Sequence, residues 1–249
     1  MGSIASHIVR LYVQRDRKHR EAMEQQQEKE RLKKRLTNNI NHELKTPVAS
    51  IMACTELLRD HPELPPEKKE EFVGRIHANA RRLDSLLKDV ADITRMDEGG
   101  SMIEKIPVDM AALVDDIAAE ARLRTDMQIT ADVAPLTVCG NRALLESVFR
   151  NLIDNAIAYS GGSRIDITGR PDGTFTVGDD GCGVAPEHLP HLFERFYRVD
   201  KGRSRASGGT GLGLAIVRNA IAIHGGEIRV ENARGLKFTF TIPPHATKT

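Results

Sequence analysis

The chain of 249 residues contains no tryptophan, and aromatic residues make up only 4% of it. Any core must therefore be built mainly from Leu, Ile, Val and Ala. Its three cysteines, Cys54, Cys139 and Cys182, are far apart and odd in number. With no CxxC pair and no Cys/His cluster, a disulfide framework and a conventional zinc site are excluded, and a reducing compartment is expected. Neither sign of charge dominates: 36 Lys+Arg face 35 Asp+Glu, for a net charge of +1. A dedicated nucleic-acid binder carries a basic surplus, so no nucleic-acid partner is expected. No apolar run reaches the roughly 18 residues that a membrane-spanning helix needs. What is present is 40% apolar and 29% charged residues, a globular composition that leans toward long charged helices. The length suits one large domain or two ordinary ones.

The chain opens on Met1-Gly2-Ser3, which reads as a leader left by cloning. Ile4 to Val13 is apolar and then turns abruptly charged. It fits either the cytoplasmic end of a membrane helix or an ordinary helix start. Residues 14–35 hold nine Lys/Arg and five Asp/Glu with no Pro, Gly or β-branched residue, which predicts a solvated helix or weak coiled coil. From Leu32 the pattern tightens, with Leu36, Ile40, Leu44, Val48, Ile51 and Leu58 following at helical spacing. The stretch 60–66, Asp-His-Pro-Glu-Leu-Pro-Pro, is a turn signal. A second helix is predicted from about Glu67 to Asp97, striped by Phe72, Ile76, Leu83, Leu86, Leu87, Val90 and Ile93 and ended by Gly99-Gly100. One helical hairpin with a narrow stripe cannot enclose a core, whereas two copies form a four-helix bundle, so a homodimer is expected.

Beyond residue 101 short strand-like runs alternate with helices predicted over Met110–Arg124, Arg142–Tyr159 and Leu212–His224. Glycine-bearing turns separate the strands, among them Ala233-Arg234-Gly235. This describes an α+β layer domain with mostly antiparallel strands near its end. The expected organisation is a linker or signalling helix over 1–30, a helical domain over 31–98 and an α/β domain over 101–245.

Several constellations carry chemistry. In the first helix, His42, Glu43 and Thr46 precede Pro47. His42 lies opposite Leu44 of the apolar stripe and so faces outward, with Thr46 one turn beyond it on the same face. An exposed histidine is usually only solvated. A neutral imidazole is nevertheless a usable nucleophile, and a neighbouring carboxylate can orient it and take its proton. Asn151 and Asn155 share a helix face, where amide oxygens suit a magnesium ion that keeps waters and substrate phosphates. Asp179-Asp180-Gly181-Cys182-Gly183 follows a strand, with glycines that let the backbone approach a ligand and a carboxylate to accept from an amine. Gly209-Thr210-Gly211-Leu212-Gly213 runs into a helix N-terminus, a phosphate cradle that is neither a P-loop nor a Rossmann turn. Between them lie Phe193-Glu194-Arg195-Phe196-Tyr197-Arg198 and the polar, basic segment Val199–Ser207, suited to a lid over an anionic ligand. Each motif alone is weak, but their order on these element types is specific.

In that order the motifs resemble those of the sensor histidine kinases of two-component systems, over roughly residues 30–243. His42 to Pro47 resembles the phosphoacceptor box, Asn151 to Asn155 the N box and Asp179 to Gly183 the first glycine box. Phe193 to Phe196 resembles the F box and Gly209 to Gly213 the second glycine box. The resemblance implies a dimeric four-helix bundle followed by an α/β sandwich of the gyrase, Hsp90 and histidine-kinase type. It implies ATP and Mg2+ as cofactors, with a nitrogen as phosphoryl acceptor. His42 would attack the γ-phosphate, with Glu43 accepting or orienting the proton, and Asn155 would hold magnesium with Asn151 nearby. Asp179 would bind the adenine amine beside Gly181 and Gly183. Tyr159, Gly209, Thr210, Gly211, Leu212 and Gly213 complete the implied nucleotide contacts. The phosphoryl group would pass to an aspartate of a cognate response regulator, and Thr46 would position water for dephosphorylating that regulator. The resemblance further implies the cytoplasmic portion of an inner-membrane sensor protein, reaching the membrane only through a sensor region outside this sequence. One departure is Ala158, where the family often has a lysine that contacts phosphate; Arg195, Arg198 or a basic lid residue would replace it. The rival expectation is a nucleotide-gated signalling dimer without kinase activity, and a third is a structural coiled-coil adaptor. The related gyrase-type ATPases generally carry a glutamate where Asn151 stands, and they lack a histidine box in a preceding hairpin.

Overall fold

The computed structural model describes residues 2–97, 103–199 and 209–245. The expected boundary at 98–102, the Gly99-Gly100 stop and all of the expected lid except Val199 lie outside the described residues. The chain divides into two compact units, residues 1–76 and 77–249.

The first unit holds helix α1 (Gly2–Asp60) and the start of helix α2 (Pro66–Asp97). α1 runs on through Pro47 without a break in its helical assignment. The 61–65 turn is closed by the Leu64 N–H on the His61 carbonyl at 3.2 Å and by Lys69 Nζ on the Pro62 carbonyl at 2.7 Å. Pro66 takes the first helical position, where a missing N–H costs nothing. The protected positions of α1 differ from the expected stripe. Ile40, Leu44, Pro47, Ile51, Cys54 and Leu58 are half-buried or buried, whereas Val48 is exposed. Their steps of four, three, four, three and four residues follow a 3.5-residue repeat, and that repeat selects Pro47 and Cys54 instead of Val48.

The second unit contains the rest of α2 and the α/β layers. In α2, Leu86, Ile93 and Met96 are buried, and Leu87 is 60% exposed. Adjacent helical residues point about 100° apart, so a seam through Leu86 turns Leu87 outward. Strand β1 (Ile106–Asp109) pairs antiparallel with β3 (Thr137–Gly140). The main sheet has the order β2-β4-β5-β7-β6, from β2 (Gln128–Val133), β4 (Arg164–Gly169), β5 (Thr174–Asp179), β6 (Ile228–Asn232) and β7 (Leu236–Thr241). Among the described strands only β2 and β4 run parallel; the other neighbours are antiparallel.

Helices α3 (Met110–Arg122), α4 (Arg142–Tyr159) and α5 (Gly213–Ile223) complete the unit, with α4 against both α3 and α5. Asp109 caps α3 by accepting from the Ala111 and Ala112 N–H groups, and Asn141 caps α4 by accepting from Leu144. α3 stops two residues short of the expected Arg124. The Leu123 and Arg124 N–H groups return to the Glu120 and Ala121 carbonyls, three residues back, which tightens the last turn. The core centres on three phenylalanines. Phe175 and Phe240 are cross-strand partners stacked at 5.5 Å, and Phe149 of α4 meets both edge-on at 5.7 and 5.5 Å.

His224, the C-cap residue of α5, is buried with both ring nitrogens engaged. Nδ1 lies 2.6 Å from the Ala220 carbonyl, and the Asn141 N–H donates to Nε2 at 3.0 Å. That pattern requires the neutral ring with its proton on Nδ1. Burial, joined by nearby Lys105, holds the His224 pKa below the usual histidine value. A depressed histidine contributes stability that is present above its unfolded pKa and lost as pH falls through and below it. Wild type should therefore lose more melting temperature than His224→Gln between pH 7.5 and 5.5, while the variant starts lower by about 1–3 kcal/mol because the Asn141 N–H loses its acceptor. Parallel pH profiles of the two melting curves would remove this role.

Candidate functional site

α4 turns Phe149, Leu152, Ile153 and Ala156 into the core, which leaves Asn151 and Asn155 on the flank of the helix. That flank forms one wall of a pocket of about 430 Å³. Asp179 and Gly183 at the end of β5, Tyr159 at the end of α4, and Gly209 to Gly211 with Gly213 form the others. Three motifs distant in sequence thus converge on one cavity.

Asp179 is held in place by the backbone. Its Oδ1 accepts from the Gly181 N–H at 2.9 Å and the Leu236 N–H at 3.3 Å, and Oδ2 takes neither bond. Burial raises its pKa, against those two N–H donors, with adjacent Asp180 adding to the rise. Asp180 does a different task. Its carboxylate accepts from the Ser163 and Arg164 N–H groups and the Ser163 hydroxyl at 2.7–2.9 Å, and these bonds lower its pKa. The two neighbouring acids are thus separated by environment, one tying β4 to the turn and one turned into the pocket.

Glycine is required here for space. A Cβ at Gly181 would strike the Ser160 carbonyl, and one at Gly235 would strike the Asp179 carboxylate. Gly211 has φ +73° and lies against the Phe196 backbone, whose own φ is +64°. The Phe196 N–H donates to the Gly211 carbonyl at 2.7 Å. The F-box turn and the second glycine turn are locked back to back, and a non-glycine residue in the left-handed region stores strain there.

On α4, Asn151 Nδ2 donates to the Ser147 carbonyl at 2.8 Å, which leaves its Oδ1 directed at Gly213. Asp154 between the two asparagines pairs with Arg124 at 3.0 Å. Among the described residues no group of three His, Cys, Asp or Glu side chains could hold a metal. Hard amide oxygens at Asn151 and Asn155 remain, and such a sparse set suits magnesium, which retains waters and substrate phosphates.

Some expected residues are placed elsewhere. Arg195 does not line the pocket; its guanidinium pairs with both carboxylate oxygens of Asp97, at 2.7 and 3.0 Å. Leu212 is fully buried as the N-cap residue of α5, and Gly181 packs behind the pocket wall. Arg198 does line it, donating to the Gly209 carbonyl, and Ala158 is an exposed lining residue. Sequence reasoning missed Ser85 and Asp89 of α2, which also line the pocket. The Thr210 hydroxyl donates to Asp89 at 2.6 Å. Burial pushes Asp89 up to about 6, against that hydrogen bond and with help from Asp92. No local signal distinguishes Asp89 from the other acids of a charged helix. Gly235 was legible only as a turn.

His42, Glu43 and Thr46 belong to the first unit. On α1, His42 and Thr46 are exposed and Glu43 is half-buried.

Family models match both parts of the chain. Residues 32–99 match the His Kinase A (phospho-acceptor) domain, and residues 140–246 match the histidine kinase-, DNA gyrase B- and HSP90-like ATPase. The sensor-like histidine kinase SenX3 of Mycolicibacterium smegmatis is 36% identical over 213 residues, covering 82% of this chain and 55% of SenX3. The mycobacterial sensor histidine kinase MprB is 32% identical in a solved structure with a TM-score of 0.51, covering 56% of this chain and 98% of that one. Full-length ShkA, solved in complex with AMPPNP, is 26% identical with a TM-score of 0.59, covering 82% of this chain and 44% of ShkA. The chain belongs to the sensor histidine kinase family. It spans about half the length of the first curated relatives it matches.

Asp179→Asn should weaken ATP binding roughly tenfold to a hundredfold, the size of a lost charge-assisted hydrogen bond of about 1.5–3 kcal/mol. Its melting temperature should change little. An unchanged ATP titration would take Asp179 out of the site.

Proposed function

We propose that this chain is an ATP-dependent protein-histidine kinase that phosphorylates His42 and passes the phosphoryl group to a response-regulator aspartate. The observation that carries the reading is an exposed histidine, followed by Glu43, within a match to a phosphoacceptor domain, in one chain with a pocket walled by Asn151, Asn155, Asp179 and the glycine turn.

Asp179 Oδ2 accepts from the adenine amine, and Tyr159, Arg198, Gly209, Thr210 and Gly211 surround the phosphates. Arg198 is the lining cation among the described residues and fits the phosphate contact left by Ala158. Asn155, with Asn151 beside it, would hold Mg2+, which would offset phosphate charge. A ring nitrogen of His42 attacks the γ-phosphorus, forming a P–N bond as the bond to the β-bridging oxygen breaks and ADP leaves. Glu43 receives or orients the imidazole proton. An aspartate carboxylate of the regulator then takes the phosphoryl group and returns the histidine. Thr46, exposed one turn from His42, is suited to hold a water toward the regulator's phosphoaspartate.

The functional unit in this reading is a homodimer. The 3.5-residue seam of α1 and the exposed apolar residues Val48, Met52, Val73 and Leu87 support a helical bundle between copies. The domain limits at 31–98 and 101–245 remain part of the proposal. So does attachment to the membrane through a sensor region, since no helix among the described residues is long and apolar enough to cross a bilayer. A nucleotide-gated dimer without kinase activity is the second reading. Asn151, in place of the glutamate that activates water in gyrase-type ATPases, favours transfer over hydrolysis.

His42→Gln should abolish labelling from γ-labelled ATP while ATP affinity stays near wild type. Wild-type label should be lost in acid and survive base, as a phosphoramidate does; an acid-stable label, or label on the variant, would sink the assignment. Thr46→Ala should autophosphorylate normally yet release phosphate from purified phosphorylated regulator several-fold more slowly with ADP and magnesium present. Equal release rates would assign Thr46 to a helical hydrogen bond alone.

A further inference from the structure

Two contacts join α2 to the nucleotide side of the second unit. The Thr210 hydroxyl donates to Asp89 Oδ2 at 2.6 Å, and Arg195 holds Asp97 through two bonds at 2.7 and 3.0 Å. They lie about two helical turns apart along α2. Both engage polar groups of the motifs, and Thr210 is itself part of the pocket lining. Thr210 has one hydroxyl proton, and Asp89 takes it; the hydroxyl oxygen meanwhile accepts from the Leu212 N–H at 3.2 Å. Arg195 presents its planar fork to a carboxylate in the bidentate manner by which arginine also grips phosphate.

We propose that α2 gates the nucleotide pocket: the Asp89 carboxylate stands on Thr210 in place of a phosphate oxygen, Asp97 on Arg195 holds the helix there, and a phosphate-bearing nucleotide binds by displacing this end of α2. The gate rests on the reading of the pocket as an ATP site. It assigns to α2 a task separate from carrying a bundle seam.

The chemistry favours competition over cooperation. A carboxylate and a phosphate are both anionic acceptors, so they compete for the same hydroxyl and repel each other across the same pocket. Asp89 and Ser85, four residues apart, line the cavity itself, so a triphosphate seated on the second glycine turn meets the Asp89 side chain directly. Among the described residues, the other charged side chains lining that cavity are Asp154 on α4, Asp179 at the end of β5 and Arg198 on the F-box turn. Asp92, on Asp89's own helix, repels it further. Among the described lining residues three carboxylates thus face one guanidinium. Release also returns Asp89 to water and removes the burial that now disfavours its charge. With its pKa at about 6, Asp89 becomes largely protonated in mildly acidic solution and its repulsion of phosphate weakens.

The test uses the whole chain, titrated with a non-hydrolysable ATP analogue and magnesium, and separately with adenosine. Asp89→Asn keeps the shape and removes the charge; Asp97→Asn loosens the second contact without touching the pocket lining. The gate predicts that Asp89→Asn binds the ATP analogue roughly tenfold tighter at pH 7.5, with a smaller gain for Asp97→Asn. Adenosine affinity should be the same in all three proteins. The Asp89→Asn advantage should shrink at pH 5.5, where most wild-type Asp89 is protonated. Amides of residues 84–97 should exchange faster when the analogue is added to wild type. Equal or weaker analogue binding by Asp89→Asn, or an equal gain for adenosine, would overturn the gate while leaving the ATP site intact. A wild type that binds neither ligand would overturn the nucleotide reading, and the gate with it. Melting curves separate a misfolded variant from a tight one, and Asp97→Asn with the exchange data then decides.

Discussion

Everything at the pocket depends on how α4 is seated. Phe149 packs edge-on against the stacked pair Phe175 and Phe240, and with 3.6 residues per turn that one contact sets the rotation of the whole helix. Once Phe149, Leu152 and Ile153 face inward, Asn151 and Asn155 have only the flank left to them, and the flank borders the cavity. Phe175 lies on the strand that ends at Asp179, so the same aromatic contact that orients the asparagines also registers the acid opposite them. A polar site is aimed by an apolar cluster, in a chain with few aromatic residues to spare.

The charges of the pocket are divided by local backbone. Asp179 and Asp180 are consecutive, yet one is half-buried with a raised pKa and the other is exposed, saturated with N–H donors and lowered. Gly181 and Gly235 make this possible, because only residues without a Cβ let the loop after β5 pack on Ser160 and the β6–β7 turn close on the Asp179 carboxylate. The glycines therefore serve carboxylate placement as much as approach by a ligand.

The strands and the α4 range were legible in the sequence because their signals are local: alternation, turn glycines and helical spacing. The motif residues were legible because their order along the chain is unusual. Val48 was misplaced because steps of three and four residues allow two neighbouring stripes, and only the sustained 3.5-residue repeat through Pro47 and Cys54 decides between them. Arg195 was expected at phosphate on charge alone, and a sequence does not reveal that Asp97 lies within reach. Asp89 was invisible for the same reason, since its partner Thr210 is more than a hundred residues away along the chain. Long-range pairing of common residue types leaves no periodic trace.

Helix α2 crosses from one compact unit into the other without interruption, the division falling between Ile76 and His77. Its only glycine is Gly74, two residues before that division, with no atom near the place a Cβ would take. Glycine within a helix costs about 1 kcal/mol relative to alanine, and no packing at this position demands it. Alanine at position 74 would therefore firm this turn of α2 by about that amount while meeting no neighbouring atom.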